Sequence, residues 1–243
     1  MLPGKCSPLP EPSSLAADAP FAERLNPGVV FRVGRGPEPF AWPDWAYAPF
    51  EQRYDDPQGV YRVLYTCSQR RGAFVETLSR FRPDAEVYEE LAQIEGDEPF
   101  LAEGVVPAAW RLERMAGRAV LAGTFADIGA SKSLAFLHRE LAHSLPGYGI
   151  PGLTQLDAGA VRLLAPTALT RRISRIVYEF PRTPPYAGLC YRSRLGDEFE
   201  NCGIFERTGP HDSFTVLSRD AIEENDPDLW GLCTSWGCRS VDF

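Results

Sequence analysis

The chain of 243 residues is long enough for one large domain or two small ones, and one is the favoured arrangement at this length. Hydrophobic residues at 44% and charged residues at 24% describe a globular protein with a real core, and 22 prolines argue for long irregular connections over a helical bundle. A formal net charge of −8 excludes nonspecific attraction to nucleic acid or anionic membrane, while leaving room for one cationic pocket.

Residues 1–20 are rich in Pro, Ser and Ala and are expected to be a flexible lead-in to a single domain over 21–243. No apolar run reaches membrane-spanning length, and no basic region followed by an apolar stretch opens the chain, so a cytosolic location is expected. Val29–Val33 is a β-prone run ended by Gly34-Arg35-Gly36-Pro37. Residues 37–57, with five prolines and with Trp42, Trp45 and Tyr47, are expected to be an irregular covering loop whose role the sequence does not fix. Gly59–Thr66 carries the strongest strand signal of the N-terminal half. Ser68 offers an N-cap, and Ala73, Phe74, Thr77, Leu78 and Phe81 recur at helical spacing until Pro83. Glu76 is thereby placed on the helix that follows a strand.

A second, acidic helix is expected near 85–95, a strand at Arg118–Leu121, and amphipathic helices at 131–145 and 167–178. Three short strands then follow, at Gly188–Ser193, Cys202–Glu206 and Ser213–Leu217. Strands at both ends with helices between them predict an α+β fold with a mixed central sheet and surrounding helices. Cys6, Cys67, Cys190, Cys202, Cys233 and Cys238 form no CxxC pair, and in a reducing compartment they are expected to be buried apolar groups rather than disulfides. No metal site is expected.

Common motifs fail. Gly34-Arg35-Gly36 opens no helix, Gly129–Ser133 lacks the order of a phosphate loop, and neither HExxH nor GxSxG occurs. What survives is an ordered set: Phe31-Arg32, Arg53-Tyr54-Asp55, Leu64–Ser68 running into Ala73–Glu76, Gly188–Arg194, and Asn201–Glu206. These pieces, spread from Val29 to Leu217, resemble the RES-domain family, named for its Arg, Glu and Ser. The resemblance implies a fold related to ADP-ribosylating toxins and consumption of NAD⁺, by hydrolysis or phosphorolysis of the nicotinamide–ribose bond. It also implies a toxin role beside a helix-turn-helix antitoxin of the Xre type. NAD⁺ is then substrate rather than resident cofactor, inorganic phosphate an admissible co-substrate, and neither direct nucleic-acid nor membrane binding is expected. The oligomeric state is left open.

By position, the resemblance puts catalytic roles on Glu76, Arg32 and Ser193, and substrate contacts on Arg32, Arg53, Tyr54, Ser193 and Asn201. A carboxylate at Glu76 suits an oxocarbenium-like ribose, and the planar fork of Arg32 suits a diphosphate. Tyr54 would stack on nicotinamide, and Ser193 would hold ribose or orient Glu76. If phosphate attacks, Arg53 or Arg194 supplies the second cation. Taken singly, each residue also has an ordinary reading: Arg32 a salt-bridged surface group, Glu76 an exposed helix residue, Ser193 an outward strand residue, Asn201 a turn former, Tyr54 a core aromatic. Two other functions use the same pocket: transfer of ADP-ribose to a protein, and nucleotide binding without catalysis.

Overall fold

Alternating strand-like runs and amphipathic helical runs fold here into one mixed sheet with helices laid on it. The structure is a computed structural model and describes residues 19–46, 50, 52–82, 105–163, 165–207, 213–236 and 239–241. In chain order the elements are β1 (Ala22–Leu25), β2 (Gly28–Arg35), β3 (Val63–Cys67), α1 (Arg70–Leu78), β4 (Val105–Pro107), α2 (Ala108–Leu112), β5 (Arg114–Leu121) and β6 (Thr124–Asp127). Then come α3 (Ser131–Leu141), α4 (Ala168–Glu179), β7 (Gly188–Arg192), β8 (Glu200–Phe205), β9 (Phe214–Ala221), α5 (Pro227–Trp236) and β10 (Arg239–Val241). Eight strands form one sheet in the order β1-β6-β7-β8-β3-β2-β5-β9. Only β6 and β7 run parallel in it, and β4 pairs with β10 in a separate parallel ribbon. The fold is α+β with a mixed central sheet, as the sequence predicts.

The sheet is split near its middle. β2 pairs with β5 along its whole length, from Gly28↔Leu121 to Arg35↔Arg114, but meets β3 only at Phe31↔Cys67. Diverging strands strand the backbone groups that a ladder would satisfy, and buried carbonyls need donors. Arg32 supplies them: its Nη1 donates to the Tyr65 carbonyl at 2.8 Å and its Nε to the Pro39 carbonyl at 2.8 Å.

Three apolar clusters hold the layers. On one face, Val63, Ala126, Leu189 and Phe205 meet Leu137, Leu141, Leu169, Ile173 and Val177 of α3 and α4. Val33, Cys67 and Ala116 meet Phe74, Val75 and Leu78 of α1 together with Trp110, Leu229 and Leu232. On the opposite face Val30, Leu64, Ala119 and Ile204 are covered by Phe40, with Trp42 packed against them, so the Pro/Trp-rich segment is the lid of the back of the sheet. Gly117 makes room for that lid, since a Cβ there would lie 2.5 Å from the Phe40 ring.

Several expectations are corrected. The strand expected at 59–66 begins only at Val63, because Asp56 caps a turn: its Oδ2 accepts the Val60 N–H at 2.6 Å and its carbonyl the Gly59 N–H at 3.2 Å. Ser68 is not the N-cap of α1; Gln69 takes that position with no side-chain cap bond, and the Ser68 N–H instead donates to the Glu200 carbonyl. Cys190 and Cys202 form a disulfide, contrary to the expectation of free thiols, because the β7–β8 register makes them Cα partners. Cys67 is a buried free thiol. The helix expected at 85–95, residues 1–18 of the lead-in, Cys6 and Cys238 lie outside the described residues. Among the described residues no helix is long and apolar enough to cross a membrane.

Candidate active site

The register of three strands builds the floor. Cys67, Asn201 and Tyr191 are successive Cα partners across β3, β8 and β7, so their side chains leave the same face of the sheet, and Tyr65, two residues before Cys67, joins them. Helix α1 crosses this face at close range because Gly72 has no side chain. A Cβ there would lie 2.2 Å from the Cys67 sulfur and 2.9 Å from the Phe199 ring. One turn further along, Glu76 is lowered onto Asn201.

The carboxylate of Glu76 is held from two sides. Its Oε1 accepts from Ser193 Oγ at 2.5 Å and from Asn201 Nδ2 at 2.6 Å. Ser193 follows the end of β7, and its Oγ also accepts the Leu195 N–H at 3.0 Å, which commits the hydroxyl hydrogen to Glu76. A carboxylate offers only acceptors, so it also fixes the amide of Asn201 with nitrogen toward Glu76. Asn201 Oδ1 is left buried with no hydrogen-bond partner. Buried polar atoms without partners are uncommon, and this one belongs to a residue of the cavity wall.

Above the floor lies a cavity of about 220 Å³, lined by the carboxylate of Glu76 and the amide of Asn201 and by two cations, Arg32 and Arg53. Tyr65 and Tyr191 line it as well. Desolvation pushes the Arg32 guanidinium down to about 10, with Tyr65 acting the other way, so it is a cation at neutral pH. Arg53 donates from Nη1 to the Arg162 carbonyl at 3.0 Å, and its guanidinium carbon sits 5.0 Å from the Tyr191 ring centre and 5.6 Å from that of Tyr54. Burial, the largest cause in each case, raises the phenols of Tyr54, Tyr65 and Tyr191, so the rings beside the site carry no charge.

The structure thus brings Arg32, Arg53, Glu76 and Asn201 into one cavity, with Ser193 bonded to Glu76 from an adjoining surface depression. Asn201 is a strand residue, not a turn former. Tyr54 is placed differently from the stacking role expected of it. It is fully buried outside the cavity lining, its hydroxyl donating to the Val161 carbonyl and its ring centre 4.6 Å from that of Tyr191. The aromatics that line the cavity are Phe31, Tyr65 and Tyr191. Sequence reasoning gave the two tyrosines no role, although both lie inside the strand pieces Leu64–Ser68 and Gly188–Arg194 that carry the resemblance. Gly72 was signalled only as a glycine inside a helical pattern, where it is costly without a packing reason.

Among the described residues one group has the spacing of metal ligands, Cys190, Glu200 and Cys202, but the two sulfurs are joined and offer no thiolate. The profile described as the RES domain matches residues 29–221, which takes in every residue of the site. No curated protein and no solved structure matches the chain.

Proposed function

The chain belongs to the RES-domain family, and from that premise we propose that it breaks the bond between nicotinamide and ribose in NAD⁺. The observation that carries the reading is Glu76, pinned through Oε1 by Ser193 and Asn201 in a cavity that Arg32 and Arg53 also line. Both pinning bonds fall on one oxygen, and this leaves Oε2 to face a substrate.

The leaving group asks little of the protein. When the glycosidic C–N bond breaks, its electron pair goes to the ring nitrogen of a pyridinium, which departs as neutral nicotinamide without being protonated. The cost lies in the ribosyl cation left behind, an oxocarbenium-like species of the kind met in glycoside hydrolysis. A fixed carboxylate beside it lowers that cost without reorganising. Water then adds at the same carbon and releases a proton, giving ADP-ribose; phosphate in its place gives the 1″-phosphate ester. Glu76 is suited to orient either acceptor. Tyr65 and Tyr191 give the nicotinamide ring apolar faces.

Arg32 has a narrower part than a diphosphate clamp. Two of its three nitrogens are bonded to backbone carbonyls, so it contributes charge and shape to the wall more than a free fork. As part of the same reading we infer a toxin role, with an Xre-type antitoxin as partner, for which the family is the support. Mixing the protein with NAD⁺, with and without inorganic phosphate, and analysing the products tests the proposal. Free nicotinamide is expected, accompanied by ADP-ribose or its 1″-phosphate according to the acceptor. Label carried from NAD⁺ onto a protein, with little turnover otherwise, would replace this reading by transfer. Binding of nucleotide with no nicotinamide released under any condition would end it.

A further inference from the structure

The cavity that holds Glu76 is too small for a dinucleotide. At about 220 Å³ it lies below the roughly 300–1,000 Å³ usual for small-ligand sites, and it fits a nicotinamide riboside half better than a whole NAD⁺. A second, more open depression of about 610 Å³ adjoins it, lined by Gly159, Arg162, Leu163 and the turn Ser193–Asp197. Arg194 lines both.

A diphosphate joining the two halves of the substrate needs a cation where the spaces meet. Arg32 has spent two nitrogens on the Tyr65 and Pro39 carbonyls. Arg53 is bonded to the Arg162 carbonyl and packed against two tyrosine rings. Arg162 is paired with Asp197 at 2.5 Å. Arg194 alone among these is exposed and, among the described residues, has neither an ion pair nor a hydrogen bond from its guanidinium. Its backbone is nevertheless fixed. Ser193 Oγ accepts the Leu195 N–H, the Ser193 N–H reaches the Phe199 carbonyl at 2.8 Å, and the Phe199 N–H reaches the Gly196 carbonyl at 3.1 Å. The hydroxyl that orients Glu76 therefore also shapes the turn that presents Arg194, which ties the two subsites to one residue. Asp197, the carboxylate in the depression, is neutralised in part by Arg162, so the net field there does not oppose a phosphate.

We propose that Arg194 grips the diphosphate of the substrate, and that the depression between Arg162, Leu163 and the Ser193–Asp197 turn receives the second nucleotide. The assignment rests on the NAD⁺ reading above and extends it from the reacting half of the substrate to the recognising half. An arginine is the side chain for this task, since its planar fork pairs with two phosphate oxygens where lysine offers a point charge.

Two measurements on the full chain test it. In steady-state kinetics with NAD⁺ and with nicotinamide riboside, which lacks the diphosphate, Arg194→Gln should raise the KM for NAD⁺ by roughly ten- to hundredfold while kcat changes little. The preference of the enzyme for NAD⁺ over the riboside should fall by the same factor, and Arg194→Lys should recover only part of it. In calorimetry, ADP-ribose should bind at least tenfold more weakly to Arg194→Gln, and also to Leu163→Trp, which fills the depression. Unchanged ADP-ribose binding and unchanged KM in both variants would overturn the proposal while leaving nicotinamide release by the wild type to support the parent reading. Absence of nicotinamide release by the wild type from NAD⁺ would remove the parent reading, and this proposal with it.

Discussion

Two groups of residues at the cavity are held by different kinds of bond. Glu76, Ser193 and Asn201 bond side chain to side chain, drawn from a helix and the ends of two strands that lie 117 and 125 residues away from Glu76 in sequence. Arg32 bonds only to backbone, at Tyr65 and Pro39, where the sheet splits between β2 and β3. Of the three residues on which the family resemblance puts catalytic roles, two are bonded to each other and the third closes a structural gap. The difference teaches that residues of one motif can be held in place for different reasons, and that mutation in either group needs both an activity and a stability readout to be interpreted.

The sharpest break between the two groups should come from Arg32. Arg32→Ala leaves two part-buried carbonyls without these donors, each costing up to about 1–3 kcal/mol, so urea denaturation should show a loss of about 2–3 kcal/mol. Arg32→Lys should recover little, since an ammonium cannot span both acceptors. A loss within about 0.5 kcal/mol, the level of an ordinary surface change, would put Arg32 with the reacting groups. The Glu76 group should respond in rate. Ser193→Ala and Asn201→Leu are each expected to lower kcat ten- to hundredfold, equivalent to about 1.4–2.7 kcal/mol of barrier, with stability changed by only about 1 kcal/mol. If either variant unfolds the protein before it slows turnover, the division between the two groups is wrong.

Gly72→Ala couples the two readouts, because the added methyl meets the Cys67 sulfur and Phe199. Overpacking of that kind costs about 1–3 kcal/mol, and turnover should fall with it as α1 lifts Glu76 from Asn201. The smallest effect concerns Cys67, which lines the cavity beside Glu76. Burial pushes its thiol up to about 11 from an ordinary 9, against the Gln69 and Ser68 backbone bonds. The folded state therefore keeps the proton longer than the unfolded chain. This contribution to stability is whole below pH 9 and is lost as pH rises toward 11. Stability measured across that window should fall less in Cys67→Ala than in wild type, and iodoacetamide at neutral pH should leave the native thiol unmodified.

Much of this site was legible in the sequence because its parts lie where local patterns are strong. Glu76 stood on a helix after a strong strand signal, and Ser193 and Asn201 fell at the ends of two short strand runs. What was hidden depends on tertiary register. Tyr54 carries the motif order, yet its hydroxyl finds the Val161 carbonyl 107 residues on, which no local pattern announces. The Cys190–Cys202 disulfide follows from which residues of β7 and β8 face each other, while the expectation of free thiols came from compartment alone. Arg32 looked like a clamp because an arginine in isolation is a fork. That two of its nitrogens are taken is a consequence of where β2 leaves β3. Of the irregular cover expected over residues 37–57, Phe40 and Trp42 do pack on the sheet, but the surface they cover, its back around Gly117 and Leu64, required the fold.

The account stands on Glu76 as the group beside the ribosyl cation, and Glu76→Gln measures that directly. The amide keeps the size of the side chain and an acceptor for Ser193, but removes the negative charge. Nicotinamide release from NAD⁺ should drop about a thousandfold, within the range for loss of a positioned acid–base or charge-stabilising group, while the denaturation midpoint stays near that of wild type. A folded Glu76→Gln that releases nicotinamide at the wild-type rate would contradict the account.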